Sequence, residues 1–224
     1  MSIAECLNRC LDNRYVDGSD IFQHDGLWHS WLHHGSFSHA DKEQCIALCN
    51  QYTQHAHEFL STKPILIVTF GTAYLFRHNG RIVGNCHKVA ANNFTREKCS
   101  VEDILSVWAP LNRRLLDNGI RTLFTVSPIR HWSDGAHGNQ LSKSTLLLAV
   151  DAMPHADYFP SYEIMMDELR DYRFYADDMQ HPTPLAVQII WERFQETYMS
   201  PATRNSCNIN IKQYKRTLHR QINE

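Results

Sequence analysis

An aspartate and a histidine three residues apart, late in the chain, are the residues best suited to do chemistry. Asp178 and His181 stand in the stretch Asp-Met-Gln-His-Pro. At this spacing the imidazole can act as a general base while the carboxylate fixes its tautomer. The stretch therefore predicts the acid–base part of a serine-hydrolase-type site; the alternative is a loop pair that bonds only locally.

A second Asp-x-x-His, formed by Asp134 and His137, shows that the spacing alone does not select a site. The later pair differs in its context, because its histidine is followed by a proline and then at once by a helix start. Thr183 is a good N-cap, and Pro184 suits the first turn of a helix. This context favours the later pair.

The elements that must position these residues alternate between apolar strands and amphipathic helices. Residues 65–70 are short, β-branched and apolar, which is typical of a parallel strand buried on both faces. Ser100 as an N-cap and Asn118–Gly119 as a stop predict a helix between them. The other predicted elements are helices at 3–11, 40–60, 140–152 and 183–194, strands at 122–126 and 158–159, and a hairpin of 74–76 with 81–83.

Strands that alternate with helices indicate an α/β protein whose parallel sheet is covered on both sides. Three strands make a thin sheet. Residues 15–39 are rich in His, Gly, Asp and Ser, and we expect them to be irregular. We predict one domain over residues 1–200 and a basic, solvated helical tail over residues 201–224.

Composition narrows the function classes. The chain of 224 residues is 43% hydrophobic and 21% charged, which is enough apolar material to close a core. A formal net charge of −2 gives no general reason to bind nucleic acid or an anionic membrane. The longest apolar run is far shorter than the roughly 20 residues of a membrane helix, and no signal peptide is visible. Seven cysteines, an odd number, form no disulfide framework, so we expect a cytoplasmic protein, and we expect no cofactor.

Ligands of open α/β sheets bind at the carboxyl ends of the strands, where several polar residues of this chain are expected. Gly71 and Thr72 follow the first buried strand. Arg130 and His131 follow the second, and they could bind an acidic substrate group or pair with Asp134. A further polar group comes after the hairpin, where substrate binding and structural hydrogen bonding are both open: Asn85, His87 and Lys88.

A series of motifs in order along residues 2–196 resembles the GSCFA family. They are Ile-Phe-x-His-Asp-Gly-Leu-Trp-His at 21–29, Gly-Thr-Ala at 71–73, Asn-Cys-His-Lys at 85–88, Ser-Pro-x-Arg-His at 127–131, Asn-Gln-x-Ser-Lys at 139–143, and the run from Phe-Pro-Ser-Tyr-Glu at 159–163 to Asp-x-x-His-Pro at 178–182. That family belongs among the SGNH (GDSL-like) hydrolases. The resemblance implies a three-layer α/β/α sandwich of the flavodoxin-like type and a Ser-His-Asp site for ester hydrolysis or acyl transfer.

The resemblance also assigns roles to residues of this chain. Carried over position by position, it makes Asp178 the orienting acid and His181 the base. It places Gly71 and Thr72 in a strand-end loop that contributes to an oxyanion hole. The implied substrate is a small-molecule or glycan ester.

The motif that names the family, Gly-Ser-Cys-Phe-Ala after the first strand, holds its nucleophilic serine and is absent here. The first four residues, Met-Ser-Ile-Ala, resemble a later family segment. We therefore expect the first strand, the nucleophile and part of the oxyanion hole to be missing together, and the chain as it stands to be inactive or severely impaired. A missing buried strand leaves an open sheet edge, so we also expect either that two copies pair through that edge or that the chain is poorly soluble.

Three serines of the chain are alternatives for the nucleophile, and none is favoured. Ser36 belongs to a partial match to the family motif but follows no buried strand. Ser127 ends a strand, yet Pro128 removes the N–H that would serve as an oxyanion donor. Ser142 and Lys143 suggest a Ser-Lys pair, but adjacent residues on a helix point in different directions.

Two functions of other classes stay open, so the sequence alone does not establish an enzyme. One is a non-catalytic binding domain for a carbohydrate or a protein partner that reuses the pocket. The other is a metal-dependent enzyme built on the five histidines from His24 to His39. In that case His29 and His33 could ligate a metal if their segment were helical.

Overall fold

The computed structural model describes residues 1–220 and divides the chain into two compact units. The first contains Met1–Ser127 and His131–Tyr158, and the second contains Pro128–Arg130 and the chain from Phe159 onward. The architecture is mixed α/β, with a three-stranded parallel sheet and helices on both sides of it. At that level the predicted fold class is confirmed.

Within the described residues, the first unit holds all the β-strands apart from the last residue of the final strand. Its elements in chain order are α1 (Ser2–Leu11), β1 (Ile21–His24), β2 (Leu27–Ser30), α2 (Lys42–Ser61), β3 (Ile65–Phe70), β4 (Tyr74–His78), β5 (Arg81–Val83), β6 (Thr95–Lys98), α3 (Val101–Asp117), β7 (Arg121–Val126), α4 (Gly135–Asp151) and β8 (Asp157–Phe159). The strands form three sheets within the described residues, with orders β1-β2, β3-β7-β8 and β5-β4-β6. The predicted helices and strands are confirmed to within a few residues at their ends.

The hairpin of β1 and β2 occupies a segment that we expected to be irregular. The two strands pair antiparallel, with Ile21 opposite Ser30. They are joined at Asp25 and Gly26, whose φ angles are 48° and 75°. Asp-Gly at such angles is a strong hairpin signal, because both residues adopt the left-handed conformation that the turn requires. The prediction for residues 15–39 is therefore wrong.

The parallel pair β3–β7 is the centre of the main sheet. Ile65 lies opposite Arg121, and the register continues to Phe70 opposite Val126. β7 is buried along nearly its whole length, but Ile65 and Ile67 of β3 are 65% and 57% exposed. The prediction that β3 is buried on both faces is wrong, because β3 is an edge strand with one neighbour among the described residues.

Aromatic side chains fix α3 against this sheet. The ring of Trp108 lies 5.1 Å from that of Phe70 and 5.5 Å from that of Phe124, edge-on to both. At the start of α3 the hydroxyl of Ser100 accepts the N–H of Asp103, and the Asp103 carboxylate accepts the N–H of Ser100. The cap predicted from the sequence is therefore a complete capping box.

The second unit is helical apart from its loops. Its elements are α5 (Ser161–Glu163) with a π-helical turn at Ile164–Glu168, a 3-10 turn at Tyr172–Phe174, α6 (Pro184–Tyr198) and α7 (Pro201–Arg220). The hydroxyl of Thr183 accepts the N–H of Ala186, so Thr183 caps α6 as predicted. Helix α7 covers most of the segment predicted as a tail; residues 221–224 lie outside the described residues, and the division at residue 200 stays a prediction.

The cysteines and the apolar helices give no sign of a disulfide or a membrane span. All seven cysteines are free thiols, and Cys45 and Cys49 are buried on α2. Burial raises the pKa of Cys49 to about 12, so this thiol stays protonated. Among residues 1–220, no helix is both long enough and apolar enough to cross a membrane.

The exposed edge of β3 generates a prediction about self-association. We expect two copies to pair through this edge, because it presents unpaired backbone groups beside exposed isoleucines. Ile67→Lys should shift the sedimentation equilibrium toward monomer. Phe59→Lys, at a position 58% exposed on α2, is the control and should leave the equilibrium unchanged. A wild-type chain that sediments as a monomer at every concentration would contradict the prediction.

Candidate functional site

The Asp–His pair predicted from the sequence is formed in the second unit. Asp178 lies in the loop before α6, and its Oδ2 is 2.5 Å from His181 Nδ1. Its Oδ1 accepts two backbone N–H groups, from Gln180 at 2.9 Å and from His181 at 3.0 Å. Both side chains are about half exposed. An imidazole that donates from Nδ1 presents Nε2 as a base, and here the ring is accessible to a solute.

Backbone hydrogen bonds close the loop that carries the pair. Thr183 donates its N–H to the carbonyl of Phe174 at 2.9 Å, and Ala176 donates to the carbonyl of His181 at 2.8 Å. Met179, between the two members of the pair, has a φ of 59° and donates to the carbonyl of Ala176 at 2.8 Å. A positive φ costs a methionine free energy, so these bonds impose the conformation.

The same hydrogen bonds keep the carboxylate ionised. They lower the pKa of Asp178 from 3.8 to about 2, with the backbone N–H groups of His181 and Gln180 contributing most and the imidazole next. The stabilisation from this carboxylate is therefore complete above the ordinary pKa and is lost as the pH falls through about 2. At neutral pH Asp178 is an anion, which an orienting acid must be.

Arg130 belongs to the same unit as the pair. Its backbone N–H donates to the carbonyl of Gln180 at 3.3 Å, and its guanidinium lies 4.0 Å from the centre of the Tyr175 ring. The structure thus brings Arg130 together with the loop of Asp178 and His181. Its predicted role, binding an acidic substrate group, stays a prediction.

In the first unit, a serine of α4 holds the loop that follows β3. Ser142 Oγ accepts the N–H of Ala73 at 2.8 Å and lies 3.1 Å from Thr72 Oγ1. Thr72 Oγ1 in turn accepts the N–H of Tyr74 at 3.2 Å. Within the described part of the chain, the N–H groups of Gly71 and Thr72 make no hydrogen bond. The two predicted oxyanion residues therefore have free donors, whereas Ala73 does not.

The next residue of α4, Lys143, is fully buried and binds the ends of both parallel strands. Its Nζ donates to the carbonyls of Gly71 and Ser127, each at 2.7 Å. Gly71 directly follows β3, and Ser127 directly follows β7. Burial lowers the pKa of the ammonium group from 10.5 to about 8, so the charge is still present at neutral pH.

His131 belongs to the first unit and is anchored by α4 as well. Its N–H donates to Asn139 Oδ1 at 3.0 Å. Its imidazole faces Gly71, with Nε2 3.8 Å from the position that a Cβ on Gly71 would take. Burial, and after it the charge of Lys143, lowers the pKa of His131 below 6.5, so the ring is neutral at pH 7.

Asp134 has a partner that the sequence did not indicate. Its carboxylate is nearly buried and pairs with Arg96 at 2.6 Å, and the Arg96 guanidinium lies 3.8 Å from the centre of the Tyr74 ring. The negative charge of Asp134 also acts on His131, where it raises the pKa against the larger effect of burial. Pairing of Arg130 or His131 with Asp134 stays a prediction. Asp134 and His137 form no Asp–His pair, and in this they differ from Asp178 and His181.

The polar residues after the β4–β5 hairpin make local contacts. Asn85 Oδ1 accepts the N–H of His87 at 2.9 Å, and His87 Nε2 lies 2.8 Å from the carbonyl oxygen of Ser30. Lys88 is exposed, and its φ of 62° places it in the left-handed region. These contacts favour the structural alternative for Asn85 and His87. A part for the three residues in substrate binding stays a prediction.

The histidine-rich segment forms the β1–β2 hairpin and the turn after it, and His29 and His33 are not on a helix. His29 Nδ1 is 2.6 Å from Ser38 Oγ, and its Nε2 is 3.1 Å from the carbonyl oxygen of His24. His33 Nδ1 is 2.8 Å from Ser30 Oγ. Across residues 1–220, no group of three His, Cys, Asp or Glu side chains is placed to hold a metal ion. The condition for the metal-dependent alternative is not met.

Two of the alternative serines, Ser36 and Ser127, lie in the first unit. Ser36 lies in an exposed 3-10 turn, where its Oγ is 3.0 Å from His34 Nδ1 as part of a local cap. Ser127 donates its N–H to the carbonyl of Phe70 at 2.8 Å and is followed by proline.

Three residues of α4 matter more than the sequence indicated. Asn139, Ser142 and Lys143 are buried polar residues at i, i+3 and i+4, so they share one face of the helix. A polar triplet at that spacing, followed by the apolar run at 146–150, was the available signal. Ser142 and Lys143 bind different groups, but both reach the loop after β3.

These elements and contacts define an α/β protein that combines an exposed Asp–His pair with polar strand-end loops. The family model of the GSCFA family matches residues 1–194. The chain therefore belongs to the GSCFA family, as its ordered motifs predicted. No curated protein and no solved structure matches it.

The geometry of the pair predicts a tautomer switch in Asp178→Asn. The asparagine oxygen can still accept the two backbone N–H groups, but its NH₂ then faces Nδ1, which must accept instead of donate. Long-range ¹H–¹⁵N spectra of the neutral imidazole of His181 should show a protonated Nδ1 in the wild type and a protonated Nε2 in the variant. Asp177→Asn, at the adjacent exposed aspartate, is the control. The same tautomer in all three proteins would refute the assigned hydrogen bond.

Proposed function

We propose that this chain is the base-bearing part of a Ser-His-Asp acyl-transfer site of the SGNH type, acting on small-molecule or glycan esters. The observation that carries the proposal is the hydrogen bond from His181 Nδ1 to Asp178 in an accessible loop. His181 takes the proton of the attacking hydroxyl and returns it to the leaving group, while Asp178 stays ionised and holds the ring. Membership of the GSCFA family supports the proposal, which includes a flavodoxin-like three-layer sandwich.

The proposal assigns the oxyanion donors to the loop after β3. Negative charge develops on the substrate carbonyl oxygen as the hydroxyl attacks, and donors that are already in place stabilise it. Gly71 and Thr72 suit this role because their N–H groups have no acceptor among the described residues, whereas Ala73 donates to Ser142. Removing one such donor typically lowers kcat by about 10²–10³-fold.

The sequence lacks the Gly-Ser-Cys-Phe-Ala motif, whose serine is the attacking group that the family resemblance implies. The hydroxyl of Ser36, which belongs to a partial match to that motif, bonds within its own turn. We therefore propose that the 224 residues as they stand hydrolyse esters slowly or not at all.

The rate of nitrophenyl acetate hydrolysis, measured for the 224-residue chain and for a longer chain, tests this proposal. We expect the 224-residue chain to hydrolyse this ester no faster than its His181→Ala variant. A chain extended by the in-frame codons upstream of Met1 should hydrolyse it, and His181→Ala should lower that rate by on the order of 10³-fold or more, because triad members act as a unit. His137→Ala, which removes the exposed histidine of the other Asp-x-x-His, is the matched control and should have little effect.

Two results would argue against this function. Hydrolysis by the extended chain that does not depend on His181 would remove the base from the mechanism. A stop codon immediately upstream of Met1 would favour the alternative of a non-catalytic domain that binds a carbohydrate or a protein partner. The absence of the Gly-Ser-Cys-Phe-Ala motif from these 224 residues is the observation that favours this second function.

A further inference from the structure

A buried ammonium group lies behind the proposed oxyanion loop. Lys143 is 0% exposed, and its Nζ donates to the carbonyls of Gly71 and Ser127 at 2.7 Å each. Burying a charge is costly unless polar groups compensate for the lost water, and a methionine would fill a similar volume without that cost. Packing alone therefore does not explain why a lysine occupies this buried position.

The two carbonyls that Lys143 binds belong to peptide units of different kinds. The carbonyl of Gly71 and the N–H of Thr72 form one planar trans peptide unit, so they point in opposite directions. The carbonyl of Ser127 is joined to Pro128, which has no N–H. Only the Gly71–Thr72 peptide can therefore transmit the influence of the ammonium group to a donor on its far side.

We propose that Lys143 is a positioning residue that orients and polarises the Gly71–Thr72 peptide, so that the Thr72 N–H is the principal oxyanion donor. This inference rests on the proposed function. A cation at the carbonyl oxygen draws electron density from the amide nitrogen and makes its N–H a stronger donor. Ser142 fixes the next peptide by accepting the Ala73 N–H at 2.8 Å, so the Thr72 N–H is held in one direction.

Charged and titratable groups around Lys143 come from several elements. The titration of Lys143 can be distinguished from theirs by its pH range. His131, from the loop after β7, has a pKa lowered below 6.5, mainly by burial. Asp134 is paired with Arg96 of β6. Burial brings the pKa of Lys143 itself to about 8, so Lys143 loses its proton in a pH range above that of His131.

The test follows the Thr72 amide signal in ¹H–¹⁵N spectra from neutral to alkaline pH. In the wild type we expect a step centred near pH 8, as the ammonium group loses its charge. Lys143→Arg should abolish the step but leave the signal near its wild-type position at neutral pH, because a guanidinium keeps its charge. Lys143→Met should abolish the step and leave the signal near the wild-type alkaline position. Lys98→Met, at an exposed lysine of β6, is the control and should retain the step.

A wild-type Thr72 amide with no step in this range, or a step that persists in Lys143→Arg, would overturn the proposal. The wild-type titration needs no variant, so a Lys143→Met chain that fails to fold does not remove the test. The spectra need no turnover either, so failure of the proposed function shows separately, as ester hydrolysis that is independent of His181. In a chain that hydrolyses nitrophenyl acetate, Lys143→Met should lower kcat by about tenfold with little change in KM.

Discussion

The ammonium group of Lys143 joins the two parallel strands of the main sheet at the end where the polar residues collect. It binds the carbonyl that follows β3 and the carbonyl that follows β7, so the register of Phe70 opposite Val126 and the position of α4 are set together. Two more residues on the same face of α4 act in the same way, since Ser142 holds the loop after β3 and Asn139 holds the backbone of His131. A shift of α4 by one residue would break all of these contacts at once. The strand-end loops of the first unit therefore form one rigid polar assembly.

The Asp178–His181 pair depends on a different and more local set of forces. Its loop is closed by hydrogen bonds between residues 174 and 183, and the cap at Thr183 fixes where α6 begins. The carboxylate is kept ionised by N–H groups within three residues of it. This explains how a base of this kind stays ordered while it is half exposed.

The features that the sequence predicted well are those set by neighbours along the chain. The capping box at Ser100, the cap at Thr183, the Asn79–Gly80 hairpin and the Asp178–His181 contact each depend on residues within a few positions of one another. Their energies come from local backbone geometry, so their signals are legible in the sequence. The β1–β2 hairpin had such a signal too, in Asp25–Gly26, but the composition around it obscured the strands.

The features that escaped prediction are set by residues far apart in the chain. The exposure of Ile65 and Ile67 depends on which strands lie beside β3, and an apolar strand has the same sequence pattern at an edge as at a centre. The role of Lys143 depends on Gly71, which is 72 positions away. No short-range sequence pattern indicates that Lys143 and Gly71 meet, because their contact depends on the folded sheet.

The central claim is that this chain holds a base and an oxyanion loop of an acyl-transfer site without a nucleophilic serine of its own. Reaction with a fluorophosphonate, followed by mass spectrometry of the intact chain and its peptides, tests the claim most directly. The account predicts that no serine of the 224 residues is labelled, since the sequence lacks the Gly-Ser-Cys-Phe-Ala motif that holds the nucleophile of the family. An adduct on Ser36 or Ser127 that disappears in His181→Ala would contradict it.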